Sequence, residues 1–360
     1  MTSPAFARVH ARLASAMDAG IFPAAVAEIG TADGPIWREA FGRLTFDADS
    51  RATTLDTLFD LASLTKPLAT TMLALDLNAR RLVDFAQPIA TEFADWRGED
   101  RAMVTVRDLL EHCAGLPARL LDRPPSTRRE FEFEIGQIPL DYHPRTKSVY
   151  SDLGFILLGF LLEDRAGQSL DDAFRAIVDR LRSSHQDTGA VIGYGVAAAD
   201  RSRTAPTRPL PDDPRRPRLL TGDVHDNYAM ALGGVAGHAG LFGNAAGVGV
   251  FARACLNALQ GNRAIGSPFL PDEMARATCK SDVPNSSRAL GWDTMLPTSS
   301  CGTRMSPLAF GHVGHTGVSL WIDPARDRYF TLLTNRVCGD ATSEAMQQIR
   351  REFHNLAADI

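Results

Sequence analysis

A chain of 360 residues that is 44% hydrophobic and 22% charged can bury a large core and makes two subdomains or one large domain. Its net charge of -5 supplies no general attraction for nucleic acid or an anionic membrane, so neither is expected as a partner. No apolar run reaches the roughly 18 residues of a membrane-spanning helix. The cysteines Cys113, Cys255, Cys279, Cys301 and Cys338 are scattered without C-x-x-C spacing, which fits a reducing compartment and excludes a zinc ribbon.

The opening segment, MTSPAFARVHARLASAMDAG, sets Phe6, Val9, Leu13 and Met17 at helical spacing and lacks a basic stretch followed by an apolar one. A cytoplasmic location is expected unless a leader was removed. AAVAEIG (24–30) and PIWREAFG (35–42) flank a TADG turn and read as an antiparallel hairpin. Helical patterns follow at roughly 65–81, 105–113, 152–165, 169–182 and 245–260. Near the other end, VGHTGVSLWID and DRYFTLLTN read as strands, and a helix begins at about Thr342 with Met346, Ile349, Phe353 and Leu356 on one face. Strands at both termini around a helical middle predict an α+β fold, with one antiparallel sheet built from both chain ends and a mostly helical domain inserted. The expected division is 1–75 with 285–360 for the sheet domain and 76–284 for the helical one.

Two irregular stretches invite other functions. RSRTAPTRPLPDDPRRPR (201–218) holds five prolines and six arginines and cannot be a regular element; it reads as a solvated loop with nearby aspartates rather than a nucleic-acid arm. The run GGVAGHAGLFGNAAGVG (233–249) lacks the Gly-Lys-Ser/Thr ending of a phosphate loop, so it reads as a tight loop feeding a helix capped near Asn244.

The chemistry is concentrated elsewhere. Of 38 basic residues only Lys66, Lys147 and Lys280 are lysines, and Lys66 stands three residues after Ser63 in FDLASLTKPLATT. Burial can strip a lysine of its proton, whereas arginine stays charged. Positions i and i+3 share a helix face, so the amine can reach the hydroxyl, and the positive end of the helix dipole disfavours the ammonium. The Ser63 N–H, at a helix start, can serve an oxyanion. A second candidate is Tyr150-Ser151-Asp152, where Asp152 opens a helix before an apolar run. A third is His315-Thr316-Gly317 before a strand, where glycine would let a substrate backbone approach the strand edge. His312 and His315 are three residues apart on an extended segment and face opposite sides, so no metal site is expected.

In this order, S-x-x-K, Y-S-D and H-T-G resemble the serine β-lactamase and penicillin-recognising enzyme superfamily, in the branch with class C β-lactamases, D-aminopeptidases and related esterases. The resemblance runs from about residue 20 to about 357 and takes in LLEHCAGLP (109–117) and VHDNYAMALGGVAGHAGLF (224–242). It implies that Ser63 is the acylated nucleophile, Lys66 its base, and Tyr150 the proton shuttle that later activates water. It further implies that His315 fills a position where many relatives have lysine, and that the Val318 N–H joins that of Ser63 as oxyanion donor. Asp152 departs from the usual asparagine. No cofactor is implied. The resemblance implies a serine hydrolase acting through an acyl-enzyme on a small ester or amide, with an intracellular esterase or peptidase favoured. A β-lactamase or D,D-peptidase, or a sensor domain that is acylated without turnover, is the alternative. Asp152 and the neutral His315 are expected to disfavour anionic substrates and to favour esters or substrates with a free amine.

Overall fold

The computed structural model describes residues 4–120, 125–184, 189–210, 216–261 and 271–360. Helix α1 (Pro4–Asp18) buries Val9, Leu13 and Ala16, the stripe its spacing dictates. The hairpin β1 (Ala24–Thr31) and β2 (Gly34–Gly42) follows in the expected place. The chain then makes the short strand β3 (Phe59–Asp60) and enters the helices: α2 (Met72–Ala79), α3 (Val106–Leu110), α4 (Arg128–Gln137), α5 (Asp152–Ala166) and α6 (Leu170–Ser184). After β4 (Ile192–Tyr194) come α7 (Asn227–Ala231), β5 (Leu241–Gly243), α8 (Ala245–Leu259) and α9 (Pro271–Ala277). The last stretch carries β6 (Asp293–Thr294), β7 (Phe310–Val313), β8 (Ser319–Asp323), β9 (Arg328–Thr334) and α10 (Ser343–Ala358).

Six strands form one antiparallel sheet in the order β2-β1-β9-β8-β7-β6. Both chain ends contribute, because β1 pairs with β9 through Val26 opposite Leu333. One face is covered by α1 and α10, which pack on each other and bury Leu13, Trp321, Phe330 and Phe353. Thr342 starts α10 as expected, its hydroxyl accepting from Ala345 N–H at 3.2 Å. The other face is covered by α8, capped by Asn244, whose side chain accepts from Gly247 N–H at 2.9 Å. Gly249 lets α8 sit close, since a Cβ there would run into the Glu28 carboxylate. Glu28 is fully buried in β1 and is satisfied by the Tyr329 hydroxyl at 2.6 Å and by Arg38.

Three features differ from the sequence reading. A second sheet, β3-β5-β4, was not legible, because strands of two or three residues carry no alternation. The helix expected over about 105–113 closes after Leu110, where His112 takes a left-handed φ of 55°. The arginine- and proline-rich loop is not simply solvated: residues 198–203 form a 3-10 helix. Arg216 is buried and donates to Val224 O at 2.7 Å. Residues 211–215 of that loop lie outside the described residues.

Candidate active site

Ser63 sits on a turn built by its neighbours. Strand β3 ends at Asp60, whose carboxylate accepts the N–H of Ala62 and of His225, both at 2.8 Å. This holds Ala62 at φ 45°, a conformation that costs an alanine about 1–3 kcal/mol and persists only when the surroundings impose it. Gly314, at the end of β7, packs so closely that a Cβ would press on Leu61 O and Ala62. Ser63 follows in a single 3-10 turn, and residues 66–71 form a wide π-helical turn before α2. The expected regular helix is therefore broken at the reactive pair, as π turns at functional positions often are.

The Ser63 hydroxyl oxygen accepts from the Tyr150 hydroxyl at 2.8 Å and from Lys66 Nζ at 3.3 Å. Lys66 is fully buried and donates also to Asp152 Oδ1 at 2.7 Å and to the His238 carbonyl at 3.0 Å. Three acceptors for three N–H bonds are what an ammonium requires. Burial pulls its pKa down, but Asp152 and Tyr150 outweigh burial, and the pKa lies above the ordinary lysine value. Asp152 and Tyr150 thus act against the burial that by itself would favour the neutral amine expected from the sequence. Burial pushes the Tyr150 phenol up, against the opposing effect of Lys66.

Asp152 does not stand alone. Its second oxygen accepts from Arg119 Nη1 at 2.8 Å, and the same nitrogen reaches Asp226 Oδ2 at 3.0 Å. Asp226 Oδ1 lies 2.7 Å from His238 Nε2, and the His238 carbonyl returns to Lys66. The result is a closed ring of hydrogen bonds through Lys66, Asp152, Arg119, Asp226 and His238. Despite its burial, Asp226 is held well below the carboxylate range by His238 and Arg119. Asp152 is likewise held down, by Lys66 foremost. Its charge is shared between Lys66 and Arg119 within the ring.

Two cavities meet at Ser63. One, of about 360 Å³, is walled by Asp60, Arg119, Asp152, Asp226, His238 and His315. The other, of about 320 Å³, is walled by Arg288, Arg336, Arg350, His312, Asp293 and His315. His315 borders both, and burial, with Arg336 and Arg208 nearby, lowers its pKa, so it is neutral. It stacks on His225 at 5.8 Å, whereas His312 packs toward Tyr150 at 5.9 Å. Arg350 donates to the carbonyls of Gly314 and Val318 at 2.6 and 2.9 Å, and burial and Arg336 bring its pKa down to about 9. Arg336 donates to His315 O at 2.5 Å and Ala341 O at 2.7 Å.

Gly317 borders neither cavity. A glycine fits this turn because φ is +113° and a Cβ would overlap Thr334 Oγ1. Val318 is buried beside it, its carbonyl accepting from Gly314 N–H at 2.8 Å. Thr316 donates to Asp60 O at 2.8 Å and ties the H-T-G turn to the nucleophile strand. The arginines at 119, 288, 336 and 350, with Asp226 and His238, were not singled out from sequence; among 38 basic residues an individual arginine carries no signal.

An antiparallel sheet with flanking helices, and beside its strand β7 a hydrogen-bonded cluster of the half-buried Ser63 and Tyr150 with the buried Lys66, is the architecture of a serine hydrolase of the penicillin-recognising type. The beta-lactamase family model matches residues 9–352, and the chain belongs to that family. It is 30% identical over 323 residues to a protein of Escherichia coli (strain K12) named "Putative D-alanyl-D-alanine carboxypeptidase", covering 82% of this chain and 72% of that one. It is 32% identical over 303 residues to the N-acetylmuramyl-L-alanine amidase of Bacillus subtilis (strain 168), covering 78% and 68%. The solved structure of EstCE1, a hydrolase with promiscuous acyltransferase activity, superposes with a TM-score of 0.73 at 19% identity over 97% of this chain and 98% of that one.

Proposed function

We propose that the protein hydrolyses an amide or ester through an acyl-enzyme on Ser63. The observation that carries this reading is the Ser63 hydroxyl, within hydrogen-bond reach of both Tyr150 and Lys66 where the two cavities meet. Ser63 Oγ attacks the carbonyl carbon, and the N–H groups of Ser63 and Val318 receive the oxyanion. Lys66 takes the serine proton as it passes one of its own to Asp152, 2.7 Å away. Tyr150 gives its hydroxyl proton to the departing nitrogen or oxygen, and the tyrosinate, beside Lys66, then draws a proton from the water that attacks the acyl-enzyme. As water displaces the acyl group, Asp152 returns its proton to Lys66 and Lys66 protonates the departing Ser63 Oγ, so the free acid leaves and Ser63, Lys66, Asp152 and Tyr150 are all restored.

The arginine-walled cavity selects the leaving group. Arg288, Arg336 and Arg350 face one carboxylate, Asp293, on that wall, which favours a leaving group with a free carboxylate. They outweigh the neutral His315, which by itself weakens such capture. Two relatives whose names specify alanine amides support an amide substrate, so a peptidase or amidase is favoured over an esterase. The test is a panel of an alanyl amide ending in a free carboxylate, its carboxamide-capped analogue, a p-nitrophenyl ester and a chromogenic cephalosporin, with intact-mass mapping of a fluorophosphonate adduct. Preference for the free carboxylate and labelling of Ser63 are expected. An adduct on another residue, or hydrolysis that persists in Ser63→Ala, overturns the assignment.

A further inference from the structure

The histidine of LLEHCAGLP has no role in the chemistry so far, yet it is bonded to the segment that carries Tyr150 from three directions. His112 Nδ1 accepts the Ser151 N–H at 3.1 Å. Its carbonyl accepts from Val149 N–H at 2.9 Å and from the Tyr142 hydroxyl at 3.0 Å. The backbone is left-handed at this residue, φ 55°, which histidine and asparagine tolerate better than most side chains do. The imidazole is 3% exposed and packs at 4.8 Å from the Tyr150 ring and 5.0 Å from Phe155.

A second buried imidazole packs on the same phenol. His312, 2% exposed on β7, has its ring 5.9 Å from that of Tyr150, and its Nδ1 donates to Val313 O at 2.8 Å. These bonds fix opposite tautomers: the proton of His112 is on Nε2, whereas Nε2 of His312 is bare. Burial, with Arg288 and Lys66 nearby, holds both pKa values well below the ordinary histidine value, so both rings are neutral. Lys66 Nζ at 4.7 Å and the Arg288 guanidinium at 5.3 Å supply the positive charge around the Tyr150 ring. Two neutral imidazoles add bulk and exclude water without adding charge.

We infer that His112 and His312 are positioning residues for Tyr150: their rings fix the phenol so that its hydroxyl stays on Ser63 through acylation and deacylation. This rests on the proposed role of Tyr150 as proton carrier. The phenol is bonded to Ser63 through one 2.8 Å contact, and a small tilt of its ring would carry the proton away from both the serine and the leaving atom.

The experiment uses the full chain and asparagine substitutions. In His112→Asn the amide oxygen can still accept from Ser151 N–H and the residue tolerates the left-handed backbone. In His312→Asn the amide can still donate to Val313 O. Each variant therefore removes the ring and keeps the local hydrogen bond. Each is expected to lower kcat about tenfold or more with KM changed less than about threefold, and to accumulate acyl-enzyme on Ser63 by intact mass. His312→Phe restores a ring and is expected to recover most of the lost kcat. In a Tyr150→Phe background either asparagine substitution should cost less than about twofold, because the positioned hydroxyl is already gone.

Should the asparagine variants keep wild-type kcat, or should they lose as much in the Tyr150→Phe background as in wild type, the inference is overturned. Failure of His312→Phe to recover kcat counts against it also. If Tyr150→Phe alone is fully active, the failure lies with the proposed role of Tyr150. A thermal melt on each variant separates a loss of fold from a loss of position, and the double-variant comparison remains decisive for any variant that stays folded.

Discussion

Lys66 Nζ lies 2.7 Å from Asp152 Oδ1 and 3.3 Å from Ser63 Oγ, so the amine is bonded more tightly to a carboxylate than to the hydroxyl it must deprotonate. The serine proton is accommodated only if the pair shifts a proton internally, and that shift involves no exchange with solvent. Asp152→Asn removes the larger of the two influences, Asp152 and Tyr150, that together offset burial. The Lys66 pKa then falls, and the amine must release its proton to solvent. Wild type is expected to show no Lys66 limb in kcat/KM between pH 6 and 9, on the order of the window that stable assays reach. The variant is expected to lose activity at pH 7 and to regain it as pH rises. A constant ratio of the two profiles across that window rejects the internal transfer.

Lys66→Arg keeps the charge beside Asp152 and removes the exchangeable proton. A loss of kcat/KM above about tenfold, roughly 1.4 kcal/mol in transition-state stabilisation, is expected with the fold retained. Tyr150→Phe removes the 2.8 Å hydrogen bond to Ser63 and should lose at least as much. A Lys66→Arg enzyme within threefold of wild type would show that the side chain acts only as a cation.

Arg288 packs over Tyr150 at 5.3 Å and lines the basic cavity. A charge-assisted hydrogen bond contributes about 1.5–3 kcal/mol. Arg288→Gln should therefore cut kcat/KM for the amide with a free carboxylate by about tenfold or more and barely affect its carboxamide-capped analogue. Equal losses on both substrates would place Arg288 in support of Tyr150 instead of in leaving-group capture.

Acid should unfold the protein early. Burial first, and for His354 the nearby Arg350, holds His354 at about 3, and burial with His315 nearby holds His225 at about 4; His112 and His312 also lie well below the ordinary value. Each is a base whose folded pKa is depressed, so between its folded pKa and about 6.5 the unfolded chain binds the proton and the folded chain does not. Stability falls as pH drops through that window, by about 1.4 kcal/mol per histidine per pH unit. Asp60, raised to about 6 by its burial, acts in the opposite sense over its own window, as folded Asp60 takes a proton before unfolded Asp60 does. Among the described residues, five histidines, His315 included, outweigh the four carboxyls that burial raises, Glu28, Asp60, Glu111 and Glu273. Melting temperature measured from pH 7.5 to 4.5 should drop steeply below about 6, whereas a flat profile would show that these imidazoles are accessible to protons in the folded state.

The sequence by itself determined whatever depends on near neighbours. Helical spacing places Val9 and Leu13 in the core, alternation and turn residues define the β1–β2 hairpin, and three-residue spacing brings Lys66 to Ser63. The three motifs in their order gave the family, which the comparisons establish. What only the tertiary structure decided is the electrical state of those residues. Lys66 meets Asp152 across 86 positions, Asp152 meets Arg119 across 33, and Arg119 meets Asp226 across 107. A pKa is set by charge and burial in space, through interactions that fall with distance and not with separation along the chain. Propensity and periodicity act over a few residues and contain none of that information. The serine, the lysine and the tyrosine were therefore legible in one dimension, whereas the protonated lysine, the ring that neutralises Asp152 and the arginine wall exist only once the chain has folded.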